Sequence, residues 1–231
     1  NINMKIFFAI WLVIMSNDAL AQFAIINDKD GFCNVRSAAA KGNNIIDKLK
    51  NGHIVYCFTN SSNWTDIDYS KNSKECNGQV YKDRVKFISD YPAVPVFKKE
   101  NTGITLKKDS ITVIVTEQKF DPNRHRFSYY KDAKGQIEFV DNKQYWGRDG
   151  GMPIREYGSI EVNIGTRKIR LPKKALQNLF EPNLDNTHVN YDKANDILYI
   201  QSMNSDGAGG YEVIWKIEKG VYKDRFIAYG F

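Results

Sequence analysis

Short apolar runs separated by turn clusters constrain the fold of this chain more than any other feature of its sequence. From residue 22 onward, short apolar runs are separated by clusters of Gly and Asn, and from residue 105 onward apolar residues lie mostly at every second position. Alternation at every second position is typical of strands with one buried face, whereas helices bury residues three or four apart. The hydrophobic fraction of 42% is sufficient for a buried core. The sequence therefore predicts a mainly β protein.

Residues 22–88 contain the most closely spaced runs. Strand-like runs occupy residues 45–46, 54–58, 64–69 and 79–81, and turn clusters separate them at 41–44, 51–52, 60–63 and 72–78. Many short strands joined by tight turns are typical of a small barrel or sandwich. We expect residues 24–88 to form a barrel of about five or six strands that folds by itself.

Four short motifs follow one another in this N-terminal part. They are Asn34-Val35-Arg36-Ser37 after the Asp30-Gly31 turn, Asn51-Gly52, Asn63-Trp64, and Asn77-Gly78-Gln79-Val80-Tyr81. In this order they resemble the landmarks of bacterial SH3 domains over residues 22–88. The sequence departs from that family at Cys33, where an aliphatic residue is usual, and at Gln79, where an aromatic residue is usual. The resemblance implies an SH3-like barrel of a kind that binds cell-wall peptides.

Four aromatic side chains of this barrel are candidates for a peptide-binding groove, as this fold often has one. They are Tyr56, Trp64, Tyr69 and Tyr81. Alternation along the strands directs Val55 and Cys57 inward and leaves Tyr56 facing outward. A half-buried core position is the alternative for Trp64.

Three cysteines, Cys33, Cys57 and Cys76, lie in the same part of the chain, and none follows residue 76. In an oxidising compartment two of them can pair. Because Cys33 and Cys57 are both expected to face the barrel core, we predict a disulfide or a close contact between them. No CxxC or HxxxH spacing occurs, so the sequence predicts no metal site and no cofactor.

The first 21 residues have the composition of an export signal. Lys5 precedes the apolar run Ile6–Met15, and the triplet Ala19-Leu20-Ala21 follows it. This order of charge, apolar run and small residues predicts a signal peptide over residues 1–21, and hence a secreted or periplasmic protein. No later stretch approaches the roughly twenty apolar residues of a membrane span, so no span is expected after cleavage.

The charge of the chain excludes one class of partner. The formal charge is +6, but the basic residues are scattered among acidic ones and their longest runs are pairs such as Lys98-Lys99. Nucleic-acid binding needs a basic stripe or patch, so no nucleic-acid partner is predicted.

A proline-containing segment follows the barrel. Pro92 and Pro95 exclude regular helix, and we place a linker at residues 89–104 and a second domain at residues 105–231. Hairpins are predicted within residues 127–139 and 160–171, and strands at 198–202, 211–217 and 225–231. This second domain resembles uncharacterised secreted bacterial domains.

One short helix is predicted in the second domain. Pro172 stands at its first position, and Ala175, Leu176, Leu179 and Phe180 form one apolar face.

Two loops of the second domain are candidate ligand sites, at residues 145–155 and 202–211. They contain the candidate binding residues Trp146, Asp149, Asp206 and Tyr211. Gly-rich loops on a rigid sheet can present amides and aromatic faces to a ligand. The alternative is that the loops are wide turns with Trp146 packed beneath them.

No catalytic residue is predicted. The second domain has no Cys, no GxSxG motif, and only two His, His125 and His188, which are expected in a solvated turn and at the surface. We therefore favour a non-enzymatic exported protein that recognises a cell-wall peptide or an envelope protein through the barrel.

Two alternatives stay open. One is a hydrolase of an envelope polymer that uses carboxylates of the 145–155 and 202–211 loops, because an acid–base pair leaves little trace in one sequence. The other is an inhibitor or immunity-like partner of a secreted enzyme. Convergence of Asp149, Glu156 and Asp206 in one concave pocket would favour the hydrolase.

Overall fold

The computed structural model describes residues 21–58 and 62–229. The predicted signal peptide lies outside the described residues except for Ala21, so export stays a prediction. Within the described ranges the chain forms β-strands joined by turns and short 3-10 helices. The prediction of a mainly β protein is confirmed. No helix among these residues is long and apolar enough to cross a membrane.

The N-terminal strands form one seven-stranded antiparallel sheet. Its strands are β1 (Gln22–Ile26), β2 (Phe32–Arg36), β3 (Ile45–Lys50), β4 (Ile54–Phe58), β5 (Trp64–Lys71), β6 (Lys74–Tyr81) and β7 (Val85–Phe87). Their order is β3-β2-β6-β5-β4-β1-β7. Leu49 of β3 and Phe87 of β7 come from opposite edges, yet both pack in one hydrophobic cluster. The sheet therefore curls around a single core and forms a barrel.

The turn between β5 and β6 is shorter than the predicted cluster at residues 72–78. Only Asn72 and Ser73 form it, with φ of 53° and 61°. Two successive residues at positive φ give the mirror-image turn that matches the twist of a hairpin. Gly78 therefore lies inside β6, where a Cβ atom would come within 2.5 Å of the Val35 Cγ1 atom.

The C-terminal strands form two further sheets and a hairpin. A five-stranded sheet has the order β14-β13-β10-β9-β8, and a four-stranded sheet has the order β15-β16-β17-β18. The first consists of β8 (Val96–Glu100), β9 (Gly103–Lys108), β10 (Ile111–Lys119), β13 (Arg155–Ile164) and β14 (Arg167–Arg170). The second consists of β15 (Thr187–Asp192), β16 (Ile197–Asn204), β17 (Tyr211–Glu218) and β18 (Val221–Tyr229). The hairpin consists of β11 (Phe127–Tyr129) and β12 (Ile137–Val140).

The four-stranded sheet is buried on both faces. Leu198 and Ile200 of β16 pack in a large cluster shared with the five-stranded sheet. Ile197 and Tyr199, on the other face, pack against Phe23 and other barrel residues. The molecule therefore has three layers, with the four-stranded sheet between the barrel and the five-stranded sheet.

The predicted linker does not separate the layers. Residues 89–104 include all of β8, and Val94 is buried in the large C-terminal cluster. Tyr91 packs in the cluster between the barrel and the four-stranded sheet. The domain boundary stays a prediction, but the two predicted domains share a core.

The predicted helix from Pro172 to Phe180 is replaced by one 3-10 turn, Lys173–Ala175. In an α-helix the Ala175 carbonyl would accept a bond from the backbone four residues ahead. Here it accepts one from the Trp215 indole at 2.8 Å. Asn178 then takes a φ of 62°, which ends any helical continuation.

The three cysteines are free thiols in the structure, so the predicted Cys33–Cys57 disulfide is absent from it. Both side chains do face the barrel core as expected. However, they lie on β2 and β4, which are separated in the sheet by β6 and β5. The two cysteines are therefore not on paired strands, and the close contact between them stays a prediction.

We expect an alkylating reagent to modify Cys76 before Cys33 and Cys57 in the folded protein. Burial raises the pKa of Cys33 to about 11 and that of Cys57 to about 12. Only the thiolate reacts, and Cys76 is partly exposed. Timed alkylation followed by mass spectrometry measures the order, with denatured protein as the control in which all three react. Equal rates in the folded protein, or recovery of a Cys33–Cys57 disulfide, would contradict this placement.

Candidate functional site

The barrel carries a cavity of about 310 Å³ on its outer surface, which we call the barrel pocket. Trp64 of β5 and Tyr81 of β6 lie directly opposite each other at this cavity. Their rings meet edge to face with centroids 5.1 Å apart, and both side chains are half-buried. Phe32 adds a third aromatic ring to the lining. Of the four residues predicted to form the groove, the structure brings Trp64 and Tyr81 together.

Charged groups of both signs surround these rings. The lining includes three acidic and three basic residues: Asp28, Asp30, Asp83, Arg36, Lys41 and Arg84. The Arg84 Nη1 atom donates to both carboxylate oxygens of buried Asp28, each at 2.8 Å. Asp28 also accepts a bond from the backbone N–H of Asp30 at 2.9 Å. This ion pair fixes the 28–31 turn against the residues that precede β7.

Tyr56 faces outward from the barrel as predicted, but it is not available to a ligand. The four-stranded sheet covers it, and its hydroxyl donates to Glu212 Oε1 of β17 at 2.8 Å. Burial raises the pKa of Glu212 above its ordinary value, while the bond from Tyr56 lowers it in part. Tyr56 therefore belongs to the contact between layers.

Tyr69 is also excluded from the groove. It shares the inward face of β5 with Ile67 and is buried in the barrel core. Its hydroxyl donates to Asp47 Oδ2 at 3.0 Å. Its position two residues after Ile67 was a sequence signal for this inward orientation.

In the second domain, the two predicted aromatic ligand residues are part of the core. Trp146 and Tyr211 are buried, with ring centroids 6.1 Å apart. The Tyr211 hydroxyl donates to the carbonyl of Phe180 at 3.0 Å. The alternative, with Trp146 packed beneath its loop, is the one found.

The two predicted loops do meet, and together they border a cavity of about 510 Å³, which we call the loop cleft. Ser205 donates through Oγ to the carbonyl of Gly147 at 2.8 Å and so joins the loops. Gly147 has a φ of 105°, and a Cβ atom there would lie 2.2 Å from the carbonyl oxygen of Phe180. Only glycine fits this close approach.

The three carboxylates that would favour a hydrolase do not converge. Asp206 lines the loop cleft, whereas exposed Asp149 does not. Glu156 accepts a bond from Gln118 at 2.8 Å and lies 3.6 Å from His125 Nε2. The two loops therefore contribute a single one of these carboxylates to the cleft.

Sequence reasoning missed the charged network inside the loop cleft. The Arg155 guanidinium contacts Glu117 at 3.1 Å and Glu181 at 3.8 Å, and Arg148 contacts Glu181 at 3.3 Å. Glu181 also accepts the backbone N–H of Ile154 at 2.6 Å. These residues come from separate strands and loops, so no local motif indicated them.

The two histidines of the second domain differ in environment. His188 is exposed, as predicted. His125 is mostly buried, because its ring stacks on Phe120 at 4.7 Å and its Nδ1 atom lies 2.8 Å from Asp141 Oδ2. In the described part of the chain, no three His, Cys, Asp or Glu side chains form a group suited to hold a metal ion.

Comparison with known proteins finds no matching family model, no matching curated protein and no matching solved structure. The likeness of residues 22–88 to bacterial SH3 domains therefore rests on the four sequence motifs and stays a prediction. The barrel pocket and the loop cleft are the features from which function can be inferred.

Proposed function

We propose that this chain is an exported, non-enzymatic binding protein whose barrel pocket recognises a peptide of the cell wall or of an envelope protein. The observation that carries the proposal is the half-buried Trp64–Tyr81 pair beside a cavity with balanced charges. Half-buried aromatic rings give a peptide side chain apolar contact area at little cost in side-chain entropy.

The charge pattern of the pocket favours a peptide over a simple ion. Exposed Lys41 can receive a carboxylate and exposed Asp30 can receive an ammonium group, whereas Asp83 is ion-paired with Arg84 at 3.0 Å. Wall peptides carry both groups along a short backbone. A pocket with three charges of each sign has no net attraction for either sign alone.

The packing of the layers leaves this pocket open. The four-stranded sheet covers the barrel face that contains Phe23 and Tyr56. Trp64 and Tyr81 are outside that contact and stay partly exposed. The arrangement supports a barrel that is anchored by one face and binds with another.

We expect Trp64→Ala and Tyr81→Ala each to weaken binding of soluble wall peptides about tenfold or more, because central aromatic residues dominate such interfaces. Phe97→Ala is the matched control, since Phe97 is 68% exposed on β8 and lies outside the pocket. Calorimetric titration with peptides released from purified peptidoglycan measures the affinities. Unchanged affinity in both pocket variants would refute the proposal, and release of sugars or peptides from intact peptidoglycan would favour the hydrolase alternative.

A further inference from the structure

The loop cleft is the larger of the two cavities, and the proposed function of the barrel pocket does not use it. It lies where the 145–155 loop, the start of the 202–211 loop and the segment after Phe180 meet. Apart from Pro182 and Leu184, the residues that line it are polar or charged.

The charged groups of the cleft are arranged in two depths. Glu117 and Glu181 are 8% and 12% exposed, whereas Arg155 and Arg148 are 51% and 36% exposed. The two mostly buried carboxylates thus hold the arginine side chains from beneath, and the more exposed guanidinium groups face the cleft. Guanidinium groups fixed in this way suit a carboxylate of a ligand, because they bind it through two parallel hydrogen bonds.

The rim of the cleft presents the opposite charge. Glu100 is paired with Lys98 at 2.7 Å and Asp185 with Lys99 at 2.6 Å. Asp206 is exposed, and within the ranges the structure describes its carboxylate has no basic partner within ion-pairing distance. Asp206 is therefore the rim carboxylate whose negative charge is available to an ammonium group of a ligand.

Two residues that line the cleft have a left-handed backbone conformation. Glu181 and Ser205 have φ of 50° and 58°, a region that residues other than glycine adopt at a cost. Bonds hold both in place, since Glu181 donates its N–H to Arg155 and accepts one from Ser205. The strained backbone fixes the Glu181 carboxylate beneath the two guanidinium groups.

We propose that the loop cleft is a second binding site, for a short peptide with a free carboxylate held by Arg148 and Arg155 and a free ammonium group held by Asp206. The volume of about 510 Å³ lies in the range of small-ligand sites and accommodates a peptide of about three residues. This site is independent of the barrel pocket.

Three peptides of one backbone test the inference on the full chain: trialanine, N-acetyl-trialanine and trialanine amide. Trialanine should give saturable shifts in an NMR titration. N-acetyl-trialanine, which lacks the ammonium group, and trialanine amide, which lacks the carboxylate charge, should each bind about tenfold more weakly. No saturable binding of trialanine, or equal binding of all three peptides, would overturn the proposal.

Variants assign each charge to a residue. Arg148→Gln and Arg155→Gln should weaken trialanine about tenfold and leave trialanine amide unchanged. Asp206→Asn should weaken trialanine equally and leave N-acetyl-trialanine unchanged. Asp206 lies on the exposed rim, so this variant tests the site even if an arginine variant folds poorly.

Two controls complete the experiment. Asp149→Asn removes an exposed carboxylate of the neighbouring loop outside the cleft and should change nothing. Trp64→Ala should leave trialanine binding intact, so failure of the barrel proposal and failure of this one are distinguishable. Trialanine binding that is lost in Trp64→Ala and kept in Asp206→Asn would place the ligand in the barrel pocket and overturn the inference.

Discussion

Replacement of Trp215 by Ala will lower the free energy of unfolding by about 3–5 kcal/mol, the usual cost of removing a large aromatic side chain from a core. Trp215 is fully buried between the two C-terminal sheets. Its ring meets Tyr157 edge to face at 5.4 Å, and its indole N–H bonds to the Ala175 carbonyl. The variant loses the packing, the aromatic contact and the hydrogen bond together.

Two further variants separate these contributions. Trp215→Phe keeps a ring, and Arg225 still donates to the Ala175 carbonyl at 3.0 Å, so we expect a loss of only about 1–2 kcal/mol. Trp64→Ala, at the half-exposed barrel pocket, should cost about 1 kcal/mol or less. Chemical denaturation followed by circular dichroism measures all three. A loss below about 1 kcal/mol in Trp215→Ala would contradict the described packing.

The second large effect concerns the barrel when it is separated from the rest of the chain. A fragment of residues 22–91 will lose the layer that covers Phe23, Ile25, Tyr56 and Tyr91. Full burial of such side chains stabilises by about 1.5–3 kcal/mol each, so the loss for these four side chains is on the order of 6–12 kcal/mol. That loss is as large as the whole stability of a typical small domain. We expect a loosely packed or associating fragment, contrary to the independent barrel that the sequence predicted.

Denaturant titration and light scattering test this expectation. The matched control is the same fragment with Phe23→Ser and Tyr56→Ser, which removes two of the exposed apolar groups and should associate less. A monomeric fragment that unfolds cooperatively at the midpoint of the full chain would show that the sequence-based boundary was right.

The strands could be predicted because their signal is local. Alternation at every second residue marked β5 and β10, and the hairpin β13–β14 pairs Val162 with Ile169 as its pattern indicated. The helix prediction failed because it ignored competition for one carbonyl, which the distant Trp215 side chain takes. Local patterns do not contain such long-range partners.

The placement of the candidate site was less accessible to sequence reasoning. The outward direction of Tyr56 was predicted, but the layer that covers it begins at Thr187, more than a hundred residues later. One signal was present: Ile197–Ile200 is a continuous apolar run, which indicates a strand buried on both faces. Glu117 and Arg155, in contrast, are 38 residues apart and share no motif.

The middle position of the four-stranded sheet has a consequence for the order of folding. The strands of that sheet lie within residues 187–229, yet the sheet completes both the core shared with the barrel and the core shared with the five-stranded sheet. A chain made from its N-terminus onward therefore carries two open half-cores until its last strands arrive, and these long-range contacts slow folding. A product that stops before β16 cannot close either core. We therefore expect a product that terminates late in synthesis to leave apolar surface of both cores exposed and to be cleaved by proteases more readily than the full chain.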